Sequence, residues 1–390
     1  MNIMTDHGRT AIVMSRLPRL VDPHALWLRG LRAALRRIQE HGGTVVRIRQ
    51  TAGSDFIQRG AERLGLPVEV IADGSSTAGS DAPDTDIHTA RDRRVMSAAG
   101  TVLVLGIRAQ GNIQRALVEY LASGGRVELV DLPGLQPSTV RDELIRLGAS
   151  TWPPSAEDQA PFNGISNDPV QSHHSMSVYE IVPFPPPDQW VFLSHSTRAC
   201  PGPWPHQSFC DYADSLLDEL PDADHSASAT LARIVAQRRV ISSPQSNRGQ
   251  HPVVCLTEVP LMELPLLRQY QVHRTRWDFE PFGVCVDRDW LQSRGARPVI
   301  YGDEATWLQL SDADRPYFQL CPAQVESSGD PGPKTDWRIE REWRHVGDLD
   351  LQHLPRDKGL VFVPTFEVAM RLAGISPWPL TLAPAPLDAI

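Results

Sequence analysis

Short apolar runs alternate with helix-period stripes over the first 150 positions. Thr10–Ser15 (TAIVMS) reads as a buried strand. In His24–His41 the residues Leu28, Leu31, Leu35 and Ile38 recur at helical spacing opposite a basic face, and Gly42-Gly43 stops the helix. The alternation then predicts a strand at Thr44–Ile48, a helix at Phe56–Leu64 and a strand at Val68–Ile71. Gly74–Asp86 has loop composition. Beyond it come a helix at Arg91–Ala99, the apolar strand Thr101–Gly106, a helix at Asn112–Ala122, a strand at Arg126–Asp131 and a helix at Arg141–Leu147. This order predicts an α/β Rossmann-like domain with a parallel sheet covered on both faces.

Such sheets collect ligands at the carboxyl ends of their strands, where the strand order reverses. The candidate nucleotide-binding residues are therefore Ser15 and Arg16 after the first strand, and Ser54 in the Gln50–Ser54 turn. A further strand-to-helix turn supplies Gly106, Arg108, Gly111 and Asn112. Backbone N–H groups opening the helix there can receive a phosphate, with Arg108 beside them. No full GxGxxG is present, so a plain solvated turn is an equal reading.

The stretch Arg91–Leu132 resembles the later half of SLOG-type Rossmann domains, the superfamily related to DprA and lysine-decarboxylase-like proteins. The resemblance implies a bound small nucleotide. In place of that family's GGxxG phosphate loop, this chain has Thr51-Ala52-Gly53-Ser54. That departure favours a sensor or scaffold over a nucleotide hydrolase acting in this crevice.

From Thr151 to Gln189 the pattern breaks. Trp152-Pro153-Pro154, a His173-His174 pair and the prolines between Pro183 and Pro187 predict a linker, so the domains are 1–150, the linker 151–189 and 190–390. The histidine pair lacks accompanying carboxylates or cysteines and reads as solvated rather than as a metal site.

Three segments of the second half carry unusual polar residues. Val191–Leu193 runs into Ser194-His195-Ser196-Thr197-Arg198, placing a histidine and an arginine at a strand end. Val253–Glu258 is an apolar strand stopped by Thr257 and Glu258. In Asp336–Asp348, period-2 alternation puts Glu340 and Glu342 on one face and Arg341 and Trp343 on the other. Neighbouring carboxylates repel unless they share a cation or a proton, and burial would raise the pKa of one. A solvated edge of alternating Glu and Arg is the competing reading.

Taken in order, the His/Arg strand, the Thr strand and the ExE strand resemble the mono-ADP-ribosyltransferase fold, whose split sheet grips NAD with those residue types. Trp190–Trp378 is also similar to abortive-infection AbiGi-like proteins. The matching features are LTExPL at Leu256–Leu261, Phe282-Gly283-Val284, Arg297–Tyr301 and WxxExEWR at Trp337–Arg344. The DarT family of DNA-modifying transferases is a more distant likeness. These resemblances imply an α+β domain with NAD as substrate and no metal. They cast Glu342 as the catalytic carboxylate and Glu340 as the residue orienting acceptor or ribose. His195, Arg198 and Thr257 become the NAD-binding residues.

Composition adds bounds. A chain of 390 residues fits two domains, and 41% hydrophobic with 22% charged residues is ordinary for folded protein. No run is long enough for a membrane span, and the N-terminus lacks a signal core. The five separated cysteines, without a CxxC, fit a reducing cytoplasm. A net charge of -9 gives no global attraction to nucleic acid. The expectation is an anti-phage defence effector in which a nucleotide-sensing domain regulates an NAD-dependent ADP-ribosyltransferase or NAD-cleaving domain. Its acceptor would be a nucleic acid or protein, and homo-oligomers are compatible with it. The alternatives are a non-enzymatic, antitoxin-like nucleotide-binding protein and a hydrolase in the N-terminal crevice.

Overall fold

The computed structural model describes residues 8–72, 84–163, 180–244, 247–271, 276–321 and 336–385. The chain divides into two compact units, Met1–Val170 with Pro201–Asp224, and Gln171–Cys200 with His225–Ile390.

In the first unit six parallel strands form one sheet: β1 (Arg9–Val13), β2 (Thr44–Arg47), β3 (Val68–Val70), β4 (Thr101–Val104), β5 (Val127–Val130) and β6 (Ser150–Trp152). Their order is β3-β2-β1-β4-β5-β6, so the direction of winding reverses between β1 and β4. Helices α1 (Leu26–Glu40) and α2 (Ser54–Arg63) pack with one apolar cluster, which takes Ile12 and Met14 from the β1 segment. Helices α3 (Asp84–Ser97), α4 (Asn112–Ala122) and α5 (Ser138–Arg146) contribute to the other cluster, which takes Ala11 and Val13. Leu28, Leu31 and Leu35 of α1 are wholly buried, and each contributes about 1.5–3 kcal/mol by leaving water.

Parts of this unit differ from the sequence expectation. β6 and a short helix, Ala156–Gln159, fall where a linker was expected, and Asp84–Asp86, read as loop, open α3. The basic face of α1 is also not solvated. Arg36 donates to the carbonyls of Asp158, Ala160 and Pro161, which holds that segment against the helix. Arg32, 1% exposed, donates to Gln159 O and pairs with Glu219.

Glu219 lies in Pro201–Asp224, a segment the sequence grouped with the second domain. Its helix, Phe209–Leu217, places Tyr212, Leu216 and Leu217 in the α1/α2 cluster. Arg59 and Arg63 of α2 pair with Asp214 and Asp218 at 2.6 and 2.7 Å. The ends of this excursion meet again in the second unit, where Cys200 N donates to His225 O at 2.9 Å.

The second unit is α+β. Its seven-stranded sheet runs, edge to edge, Arg297–Pro298, Glu342–Val346, Val253–Thr257, Phe192–Ser196, Gly283–Asp287, Gly359–Val363 and Leu380–Leu382. All neighbours are antiparallel except the last pair. One face packs with helices Ala227–Gln237 and Phe366–Ala373 through Leu231, Val235, Ala369 and Leu372. The other carries Trp190, Leu261, Leu264 and Phe362. Leu261–Leu267 forms a 3-10 turn followed by one α-turn.

This sheet is split in the middle. The Glu342 strand pairs with the Thr257 strand over five positions, as does the Gly283 strand with the His195 strand. Between them, the His195 and Thr257 strands share a single register pair, Ser194↔Thr257. Gly283 is fixed by close approach: a Cβ there would sit 2.1 Å from the His195 carbonyl oxygen and 2.5 Å from the Phe362 ring.

Among the described residues, no helix is long and apolar enough to cross a membrane, and no group of three or more His, Cys, Asp or Glu can hold a metal ion. His173-His174 lies outside the described residues, as do Arg274 and Thr275.

Candidate functional site

A cleft of about 810 Å³ opens where the second unit's sheet splits, lined by His195, Arg198, Thr257, Glu340 and Glu342 together with Cys255, Asp278, Gln319 and Trp337. All five residues singled out from the sequence in this half therefore meet in one place.

His195 spans the split. Its Nδ1 lies 2.8 Å from the Cys255 carbonyl oxygen. A carbonyl only accepts, so Nδ1 carries the proton. Burial, opposed by that hydrogen bond and assisted by the nearby Arg198 charge, holds the ring pKa below its ordinary value. The ring is then neutral near pH 7, and Nε2 is an acceptor. Such a group suits a hydroxyl or amide donor and disfavours a phosphate.

Arg198 projects from just beyond the same strand, its Nη2 3.2 Å from Oδ1 of the buried Asp278. This pairing holds a half-exposed guanidinium at the cleft wall. Thr257 has a different use from the one expected. Its hydroxyl donates to the Glu340 carbonyl and accepts from Val259 N at 3.0 Å. It fixes the turn that carries Glu340, and its own oxygen is engaged within the fold.

Glu340 and Glu342 converge, but not by strand alternation. Glu340 ends a 3-10 turn, Trp337–Glu340, and Arg341 sits in the left-handed region at φ 44°. The strand begins only at Glu342. The period-2 reading of this segment is corrected by that turn, although both carboxylates still line the cleft.

Glu342 is the most constrained of the set. Arg344 Nε donates to its Oε1 at 2.9 Å and Nη2 to its Oε2 at 3.2 Å. Its backbone N–H donates to the Tyr301 hydroxyl at 3.0 Å, and its carbonyl accepts from Val299 N at 2.8 Å. The cation paired with Glu342 is thus Arg344, two residues along the same strand. Arg344 itself is 1% exposed. Burial alone would lower its pKa, but the Glu342 carboxylate outweighs that and raises it. Beside them, burial and the Glu342 charge push the Cys255 thiol up to about 12, so it stays protonated. Burial likewise pushes the Tyr301 phenol up to about 12.

Sequence reasoning missed Arg344, Tyr301, Gln319, Trp337 and Asp278. Arg344 and Trp337 belong to the WxxExEWR stretch, so a signal was present. Asp278 comes from a bend and Gln319 from the short strand Phe318–Leu320, which pairs with Ile300–Gly302, and no local pattern fixes either placement.

In the first unit, the predicted residues flank the reversal between β1 and β4 but are spent on one another. Ser15 N donates to Gly106 O at 2.7 Å, and Ser15 Oγ accepts from Arg108 N at 3.0 Å. Arg108 Nη2 donates to Arg16 O at 3.2 Å. Gly111 precedes the first turn of α4, which starts at Asn112, and the Asn112 side chain accepts from Arg115. Ser54 opens α2 and its carbonyl accepts from Arg47 Nη1 at 2.7 Å. Gly53 before it has φ 71°, and a Cβ there would lie 2.7 Å from Met14 Sδ, so glycine is required by backbone and packing together.

No family model matches the chain. No curated protein matches it either. Solved structures are similar to part of it, among them the following two. DNA processing protein A from Streptococcus pneumoniae is 16% identical over 40% of this chain and 61% of that one, with a TM-score of 0.27. The Helicobacter pylori protein of the same name, described by its single-stranded DNA binding mode, is 15% identical over 38% of this chain and 76% of that one, with a TM-score of 0.28. This chain spans about three fifths of the pneumococcal protein.

Proposed function

We propose that the second unit binds NAD and breaks the bond between nicotinamide and ribose, passing ADP-ribose to a macromolecule or to water. The observation that supports this reading is the meeting of His195, Thr257 and Glu342, from three neighbouring strands, at the split of one sheet.

The chemistry follows from the donors and acceptors present. As the C1'–N bond breaks, its electron pair leaves with nicotinamide and positive charge develops on the ribose. The Glu342 carboxylate, held by Arg344, accepts from the ribose 2'-hydroxyl and stabilises that charge. Nε2 of His195 accepts from a ribose hydroxyl or from the carboxamide N–H. Arg198 exchanges part of its pairing with Asp278 for the diphosphate. Glu340 faces the incoming acceptor, whose proton passes to solvent water as it bonds to C1'. In this reading the first unit binds a small nucleotide and regulates the second, and the whole acts as an abortive-infection effector against phage.

The test uses NAD labelled in its adenylate half, incubated with the protein and a cell extract. Label transferred to protein or nucleic acid, or released as free ADP-ribose, is the expected result, and it also tells transfer from hydrolysis. Label that stays in intact NAD under every added nucleotide would contradict the proposal.

A further inference from the structure

Glu342 is a cleft carboxylate gripped by a buried fork. Both oxygens receive N–H groups from the same guanidinium, at 2.9 and 3.2 Å, which fixes the plane of the carboxylate as well as its position. The guanidinium is fixed in turn. Nη1 donates to Phe318 O at 2.7 Å and to Pro316 O at 3.1 Å, and Nη2 donates to Gln319 Oε1 at 2.7 Å. Five contacts therefore saturate a group with no solvent-facing freedom, and three of them come from the segment 316–319, remote in sequence from the Glu342 strand. Structural burial of an arginine needs a partner but not this one: a carboxylate lining an 810 Å³ cleft is an expensive place to spend a fork unless its orientation matters.

We infer that Arg344 is a positioning residue that aims the Glu342 carboxylate into the cleft, with Gln319 and the carbonyls of Pro316 and Phe318 holding its aim. The inference rests on the NAD reading for the reaction it serves, but not for the pairing itself. A lysine cannot reproduce it, because an ammonium is a point donor and cannot present two parallel N–H groups to one carboxylate.

Two measurements test this. In the first, nicotinamide release from NAD is followed for the wild type, Arg344→Lys, Arg344→Gln and Gln319→Leu across pH 5–9. The expected result is a fall in kcat of about 10²-fold or more for both Arg344 variants, with KM for NAD within about threefold. Gln319→Leu, which removes one anchor, shifts kcat in the same direction by a smaller factor and guards against mere misfolding of the Arg344 variants. Unchanged kcat in folded Arg344→Lys, or a change confined to KM, overturns the inference. In the second, thermal unfolding of Arg344→Gln, Glu342→Gln and the double variant is compared without NAD. The two substitutions should be strongly non-additive, and additivity overturns the pairing whatever the chemistry. If the wild type releases no nicotinamide, the NAD reading fails alone and the second measurement still decides the pairing.

Discussion

A carbonyl oxygen and a half-buried imidazole set which hydrogen-bonding atom His195 offers to the cleft. His195 gives its Nδ1 proton to Cys255 O and offers Nε2 as an acceptor, and this holds only while the ring is neutral. Burial puts its pKa below the ordinary 6.5. Between the folded value and 6.5 the unfolded chain binds more protons than the folded one, so stability is full above about 6.5 and is lost as pH falls below it. His195→Gln keeps a donor for Cys255 and an acceptor for the cleft but cannot titrate. Thermal midpoints measured from pH 5 to 8 should therefore fall more steeply toward acid for the wild type than for the variant, and parallel curves would contradict the assignment. Sequence alone marked this histidine by its place at a strand end, but could not say which nitrogen holds the proton. That depends on a carbonyl sixty positions away.

The short turn before the Glu342 strand shows how an element can keep a sequence prediction's result and change its cause. Alternation along Glu340-Arg341-Glu342 would place both carboxylates on one face of a strand. The same convergence arises from a 3-10 turn closed by Arg341 at φ 44° and tied down by Thr257. Arginine in the left-handed region carries about 1–2 kcal/mol of strain, which glycine would relieve. Arg341→Gly should leave the denaturation midpoint unchanged or higher, offset only by loss of a surface contact to Glu263. Arg341→Val, β-branched, should cost about 2 kcal/mol or more by urea denaturation and displace both carboxylates. Equal stabilities for the two variants would argue against the turn. The neighbouring strand was legible because Val253–Leu256 is an apolar run. A left-handed residue that is not glycine leaves no such mark.

At the scale of the molecule, the alternation of apolar runs and amphipathic stripes made the first sheet readable almost throughout, and the polar strand ends made the second unit's cleft residues readable as a set. The course of the chain between Cys200 and His225 was not readable. Tyr212, Leu216 and Leu217 are an apolar stripe like any other, and nothing local says that they complete the cluster under α1 and α2. Because Cys200 and His225 hydrogen-bond to each other, residues 201–224 can be exchanged for a short Gly/Ser linker without stretching the second unit. A 180–390 fragment so altered should be soluble with a cooperative thermal transition. The unaltered fragment, exposing that stripe, should aggregate more readily in light scattering, and the reverse ranking would contradict the division. In the proposed reaction the second unit's chemistry turns on Glu342. Nicotinamide release from NAD by the purified full-length protein checks this, with Glu342→Gln beside the wild type and candidate nucleotides present or absent. The expected result is release by the wild type, a loss of about 10²–10³-fold in the variant and NAD affinity that changes little. Release that survives in a folded Glu342→Gln protein would contradict it.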